Sequence, residues 1–169
     1  MTWLADISKY KSNQDWLSIV AAVVFAEVFF ILLYTRSSPI LATWYRKFGL
    51  TAVLADCLVI LLGFAVTRYL YRGTFIPWKF VLTFLAVQII HDLLYYFVVV
   101  VPYPRGQNDI IDFMKTYGKT TGIWSVLGDS SMVIVMSILA MIFAAQSPHI
   151  SISALLFGLY MMPYMIYRN

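Results

Sequence analysis

Residues 87–101 read VQIIHDLLYYFVVVV, an apolar run interrupted by two adjacent titratable side chains, His91 and Asp92. Read as a helix, the run is long enough to lie within a membrane, because about 20 residues at a rise of about 1.5 Å cross a hydrocarbon core of about 30 Å. An ionised group there costs several kcal/mol unless it faces a bundle interior or a wet cavity. The run therefore has to be explained by what surrounds it.

Outward from it, the chain is oily throughout. Of its 169 residues 62% are hydrophobic and 12% are charged, and the mean hydropathy is +0.80. An ordinary soluble domain carries about 25% charged residues. Runs of nearly uncharged sequence fall at about 16–35, 49–67, 80–101, 124–146 and 150–167. The expected fold is all-α: a polytopic integral membrane helix bundle of five transmembrane helices in one domain, residues 1–169. The fifth run is the shortest and carries Pro163.

The connections carry helix signals. In SNQDW, residues 12–16, Ser12 or Asn13 can cap the first span and Asp15 meets the positive end of its dipole. This N-terminus lacks the order of a secretory signal, so the first span is expected to stay in the protein. Ser38 and Pro39 repeat the start signal, and Trp44, Tyr45, Arg46, Lys47 and Phe48 then have the composition of a segment at headgroup level leading into the second span. A short loop makes the second and third spans antiparallel neighbours, and QSPHI, residues 146–150, allows a tight turn before the fifth. Pro102, Pro104 and Gly106 end the third span. At about 108–121, Ile110, Ile111, Met114 and Tyr117 recur at helical spacing away from Asp109, Asp112 and Lys115, which predicts a short amphipathic interfacial helix. Such a helix serves as a cover over the bundle end or as a partner-binding face.

All twelve basic residues lie at or beyond the span ends. Lys9, Lys11, Arg68, Arg72 and Lys79 share the side of the N-terminus; Arg36, Arg46, Lys47, Arg105, Lys115, Lys119 and Arg168 share the other. This split is too even to fix orientation. The bases read as interfacial anchors, and no nucleic-acid partner is expected. Tyr34, Tyr45, Tyr69, Tyr71, Tyr103, Tyr164 and Tyr167 fit interfacial belts, whereas Tyr95 and Tyr96 lie deeper. Gly63, Gly128 and Gly158 read as points of close helix approach, and Met132, Met136 and Met141 as packing or lipid-facing residues.

Four of the eight acids, Glu27, Asp56, Asp92 and Asp129, lie inside the first four spans, one in each. Spans one and three end on the face where spans two and four begin. From that face the depths are roughly 12, 10, 13 and 8 Å, taking about 1.5 Å per residue. The acids are therefore expected to converge in one layer. On the third span Gln88, Asp92 and Tyr95 share a stripe, and His91 pairs with Tyr95 by the i, i+4 rule; Ser130 and Ser131 add hydroxyls beside Asp129. The expected polar site is Glu27, Asp56, Gln88, His91, Asp92, Tyr95, Asp129 and Ser130.

Three functions suit such a site. The leading one is proton or cation transport or conduction, since burial and neighbouring groups move carboxyl and imidazole titration toward neutrality. The second is a structural or assembly protein whose cluster only fastens helices. The third is a membrane enzyme on a lipid-like substrate, with Asp92 and His91 as acid and base. No metal site and no cofactor is assigned. The chain lacks a mid-span lysine for a retinal Schiff base, a TVGYG-like filter, and the paired deep histidines that haem or di-iron chemistry needs. Cys57 is the only cysteine, so one chain can form neither a disulfide nor a two-cysteine redox centre. The expected partners are the lipid bilayer and, beyond it, further copies of the chain or other membrane or capsid proteins.

The runs AVLADCLVILLGFAVTRYLY (52–71), QIIHDLLYY (88–96), PYPRGQNDIIDFMKTYGK (102–119) and GDSSM (128–132) carry a resemblance over Trp44 to Ala140. The chain resembles a group of multi-spanning membrane proteins encoded by giant DNA viruses of algae and other protists. The resemblance implies a place in a virion inner membrane or a host membrane, and no activity.

Overall fold

The computed structural model describes residues 3–9 and 13–167. Seven α-helices follow in order: α1 Asn13–Ser37, α2 Pro39–Phe48, α3 Leu50–Leu70, α4 Pro77–Leu94, α5 Asp109–Thr121, α6 Ile123–Ala144 and α7 Pro148–Ile166. A π-helical stretch, Tyr95–Val100, continues α4. No strand occurs among the described residues. Among the described residues five helices are long and apolar enough to span a membrane: α1, α3, α4 with its π-helical end, α6 and α7. The chain is a multi-pass helical membrane bundle.

The central helix is α1. Within its apolar window 61% of residues are buried in the bundle, against 17% for α4, and α7, α6, α2 and α3 pack around it. Its partner α7 comes close because small residues face each other. Ser18 and Ser151 hydroxyls are 3.4 Å apart, Ala21 and Ala22 are fully buried, and a Cβ on Gly158 would stand 3.0 Å from the Val24 carbonyl oxygen. Without a hydrophobic force between helices in lipid, such contact is what holds them. Gly63 is equally tight against the Phe84 ring, but a Cβ at Gly128 would meet only the Tyr34 hydroxyl at 3.6 Å, an ordinary contact. Met132, Met136 and Met141 are buried packing residues.

The segment 39–48 forms a helix directly ahead of the second span, as its composition suggested, with Trp44 and Tyr45 turned inward. It is a separate helix. Ser38 caps it by accepting from Leu41 N–H, Pro39 occupies the first position, and Gly49 at φ +53 breaks it from α3. Leu41, Trp44, Tyr45 and Phe48 fall at i, i+3, i+4 and i+7, which turns one face inward; Trp44 and Tyr45 are both 2% exposed, buried where belt residues were expected. Gly122 at φ +54 makes the same break between α5 and α6. A positive φ suits glycine because no Cβ meets the following carbonyl.

The amphipathic helix is present as α5. Asn108 Oδ1 accepts from the Ile110 and Ile111 N–H groups at 2.9 and 3.1 Å, and the Lys115 ammonium donates to the Val101 and Tyr103 carbonyls, tying α5 to the end of the π-helical stretch. Asn108→Ala is expected to cost about 1 kcal/mol of helix stability. Faster amide exchange at Ile110 and Ile111, with α1 unchanged, is the readout; equal exchange in both proteins would mean that the cap is idle.

On the opposite face Arg68 is buried instead of anchored among headgroups. Its Nε donates to the Ile7 carbonyl at 2.6 Å and its guanidinium lies 5.0 Å from the Trp16 ring centre. The Ala5 N–H donates to the Met141 carbonyl, so residues 3–9 close that end of the bundle. Tyr71 also turns inward to its own loop, accepting from the Ile76 N–H. By contrast Tyr69, Tyr103, Tyr164 and Tyr167 are exposed, as belt residues would be. Ser12, Lys11 and Arg168, which entered the cap and charge readings, lie outside the described residues, and the Asn13 side chain is likewise not described.

Candidate functional site

Of the four carboxyls in the spans, Glu27, Asp56 and Asp92 form two hydrogen-bonded groups beside one cavity. In the first, the Tyr45 hydroxyl lies 2.9 Å from Asp56 Oδ2 and 3.1 Å from Glu27 Oε1, and the Trp44 indole N–H donates to Asp56 Oδ2 at 3.2 Å. A phenol has one proton and two carboxylates are acceptors only. Tyr45 can donate to one of them, so the short contact to the other requires that acid to carry a proton and donate to the phenolic oxygen. Glu27 is fully buried and its Oε2 has no partner; it is the member that holds the extra proton, because burying an unpaired charge is the costlier alternative. Burial, with Glu27 and Asp56 beside it, pushes the Tyr45 phenol above its ordinary value, so it stays protonated.

The second group lies on one stretch of α4. Gln88 Nε2 donates to Asp92 Oδ1 at 2.8 Å, and His91 Nδ1 lies 3.2 Å from the same oxygen. The ring of His91 stacks on Tyr95, interplanar angle 6°, one turn on. The helix widens into its π-helical stretch at Tyr95, and such widenings recur at functional sites. Here Asp92 Oδ2 and Gln88 Oε1 are buried without a partner.

Both groups border a cavity of about 620 Å³. Asp56, Asp92 and Asp129 line it from α3, α4 and α6; α1 contributes Tyr34, α2 contributes Trp44 and Tyr45, and α5 closes it with Ile110, Phe113, Met114 and Tyr117. The Tyr34 hydroxyl donates to the Gly128 carbonyl at 3.1 Å and lies 3.2 Å from Ser131 Oγ, fixing α1 to α6 beside Asp129. Burial and the charge of Asp129 raise the Tyr117 phenol, so it too faces the cavity as a neutral group. No Lys or Arg lines the cavity among the described residues.

Of the eight residues expected at the site, Asp56, Gln88, His91, Asp92, Tyr95 and Asp129 line this one cavity. Glu27 stands behind Tyr45 and reaches the site only through that hydroxyl. Ser130 is not among the lining residues, and its neighbour Ser131 makes the contact with Tyr34. Tyr96, also favoured by depth, packs instead on Gly118 of α5. Two belt assignments change role, since Tyr34 and Tyr45 belong to the site. The spacing of Leu41, Trp44, Tyr45 and Phe48 was the available signal for α2.

No family profile, curated protein or solved structure matches this chain. Among the described residues no group of three or more His, Cys, Asp or Glu side chains is placed to hold a metal ion. What the site can do follows from its own chemistry. It can exchange protons among carboxyls, phenols and one imidazole, and it can receive positive charge.

Proposed function

We propose that the protein takes protons or cations from one membrane face into this cavity, as a transporter or conducting protein. The observation that supports the reading is the lining: carboxylates from three separate spans, with one imidazole, His91 on Asp92, and no Lys or Arg among the described residues to neutralise them. In a low-dielectric surrounding, unbalanced acceptors attract protons or cations more strongly than they would in water.

Reconstitution in liposomes with a pH-sensitive dye tests it. Wild-type vesicles are expected to dissipate proton or cation gradients faster than empty ones, and Asp92→Asn and Asp129→Asn to slow that flux at least about tenfold, which corresponds to about 1.4 kcal/mol. Wild-type vesicles that leak protons and common cations no faster than empty ones would end the transport reading.

A second reading, a structural or assembly protein of a virion or host membrane, is favoured by Glu27. Its carboxyl is wholly buried, does not line the cavity and joins α1 to α2. The virus-encoded proteins that residues 44–140 resemble support the same alternative. It requires that Asp92→Asn lower stability without changing any flux.

A further inference from the structure

The acceptors around the cavity differ in what a mobile ion can reach. Asp56 Oδ2 is engaged by the Tyr45 hydroxyl and the Trp44 indole, and Asp92 Oδ1 by Gln88 Nε2 and His91. Asp92 Oδ2 and Gln88 Oε1 are buried and have no surface in the cavity. Of the lining's carboxyl oxygens this leaves those of Asp129 and one of Asp56. Hard metal cations such as calcium and magnesium take about six oxygen ligands or more. A proton needs one acceptor.

His91 is the more open member of its pair. Its side chain is 38% exposed against 18% for Asp92, and its ring lies parallel to Tyr95 with 6.0 Å between centres. Nδ1 is 3.2 Å from Asp92 Oδ1, so Nε2 is the ring nitrogen left for the cavity. A neutral imidazole has one N–H and one lone-pair nitrogen. With Nδ1–H donated to an ionised Asp92, Nε2 is the acceptor, an arrangement suited to carrying protons. The other titratable groups in the lining are the carboxyls of Asp56 and Asp129 and the phenols of Tyr34, Tyr45, Tyr95 and Tyr117. Among the described residues His91 is the one nitrogen base there.

We infer that the ion this cavity takes up is the proton and that His91 relays it to Asp92. A proton added at Nε2 makes the ring an imidazolium, and the hydrogen on Nδ1 then passes to Asp92 Oδ1. One proton enters and one is handed on. The pair ends as a neutral acid and a neutral imidazole of the opposite tautomer, its 3.2 Å contact kept with donor and acceptor exchanged. Gln88 Nε2, 2.8 Å from the same oxygen, holds that oxygen in place throughout. The inference rests on the transport reading and narrows it from protons or cations to protons.

Proteoliposomes holding the full chain test it by comparing ions. Proton flux reported by a dye is expected to exceed that of empty vesicles, whereas uptake of radioactive sodium and rubidium is expected to match them. His91→Gln can still offer an N–H to Asp92 but cannot relay, and is expected to slow proton flux at least about tenfold. A second measurement leaves His91 in place. His149, the other histidine, is exposed at the start of α7 and is not among the lining residues. In His149→Gln protein, diethylpyrocarbonate acylates His91 at a ring nitrogen, so proton flux is expected to be lost and to return when hydroxylamine removes the group. Sodium or rubidium uptake as fast as proton flux overturns the inference and leaves cation transport standing. Proton flux that survives both His91→Gln and acylation overturns the relay and leaves proton transport standing. Vesicles that pass no ion at all refute the transport reading, and the inference with it.

Discussion

Tyr45→Phe is expected to lower the unfolding free energy of the protein in bicelles by about 3 kcal/mol, well above the average of about 0.6 kcal/mol for a hydrogen bond between membrane helices. The average is small because polar groups in an unfolded or rearranged membrane state find other partners. Glu27 has no such latitude. It is fully buried, its Oε2 is already unpartnered, and the Tyr45 hydroxyl is the contact that joins it to Asp56 on α3. Removing one oxygen atom leaves the protonated Glu27 carboxyl without the acceptor for its proton and leaves Asp56 Oδ2 with the Trp44 N–H as its donor, and an orphaned buried polar group costs about 1–3 kcal/mol. Glu27→Gln distinguishes this from a simple packing defect. Its amide can donate to the phenolic oxygen as the protonated acid does, so it is expected to stay within about 1 kcal/mol of wild type. A Tyr45→Phe protein as stable as the parent, in a denaturant or SDS titration, would show that the shared-proton triad does not hold α1, α2 and α3 together.

The second large effect is expected at the central interface. Gly158→Leu places a Cβ 2.9 Å from Val24 Cγ1 and 3.0 Å from the Val24 carbonyl oxygen. The obstruction is largely backbone on the most buried helix, so it cannot be relieved by a rotamer change. α7 has to move away from α1, losing the close contact along Ser18, Ala21 and Ala22. Overpacking costs typically about 1–3 kcal/mol and more where backbones collide, and a loss above about 3 kcal/mol is expected by the same titration. Gly128→Ala serves as the comparison. It meets one hydroxyl at 3.6 Å, and alanine favours a helix over glycine by up to about 1 kcal/mol, so it is expected to be neutral or mildly stabilising. Equal tolerance of both substitutions would mean that α1 and α7 are not held at the observed separation.

How far the sequence reached is visible at the acids. Hydropathy and antiparallel connectivity were enough to place Asp56, Asp92 and Asp129 at one level, because helix rise turns residue count into depth. Depth along a helix axis says nothing about rotation around it, and rotation separates Glu27, turned behind Tyr45, from the acids that line the cavity. The same gap explains Tyr34 and Tyr45, since an aromatic residue near a span end suits a headgroup belt and a buried cluster equally by composition.

The chain's oily composition and its span-ending Pro, Gly and charged residues determined by themselves that this is a bundle of five membrane-crossing helices with an amphipathic helix at one face. Those are properties of each segment against lipid and water, and need no neighbour. Tertiary structure alone decided that α2 folds inward at Gly49 to offer Trp44 and Tyr45 to Asp56, that Arg68 turns in to bind the Ile7 carbonyl, and that Gln88 and Asp92 are joined beside a cavity. Each depends on which helix faces come together, a choice made between segments distant in sequence and written in no single one of them.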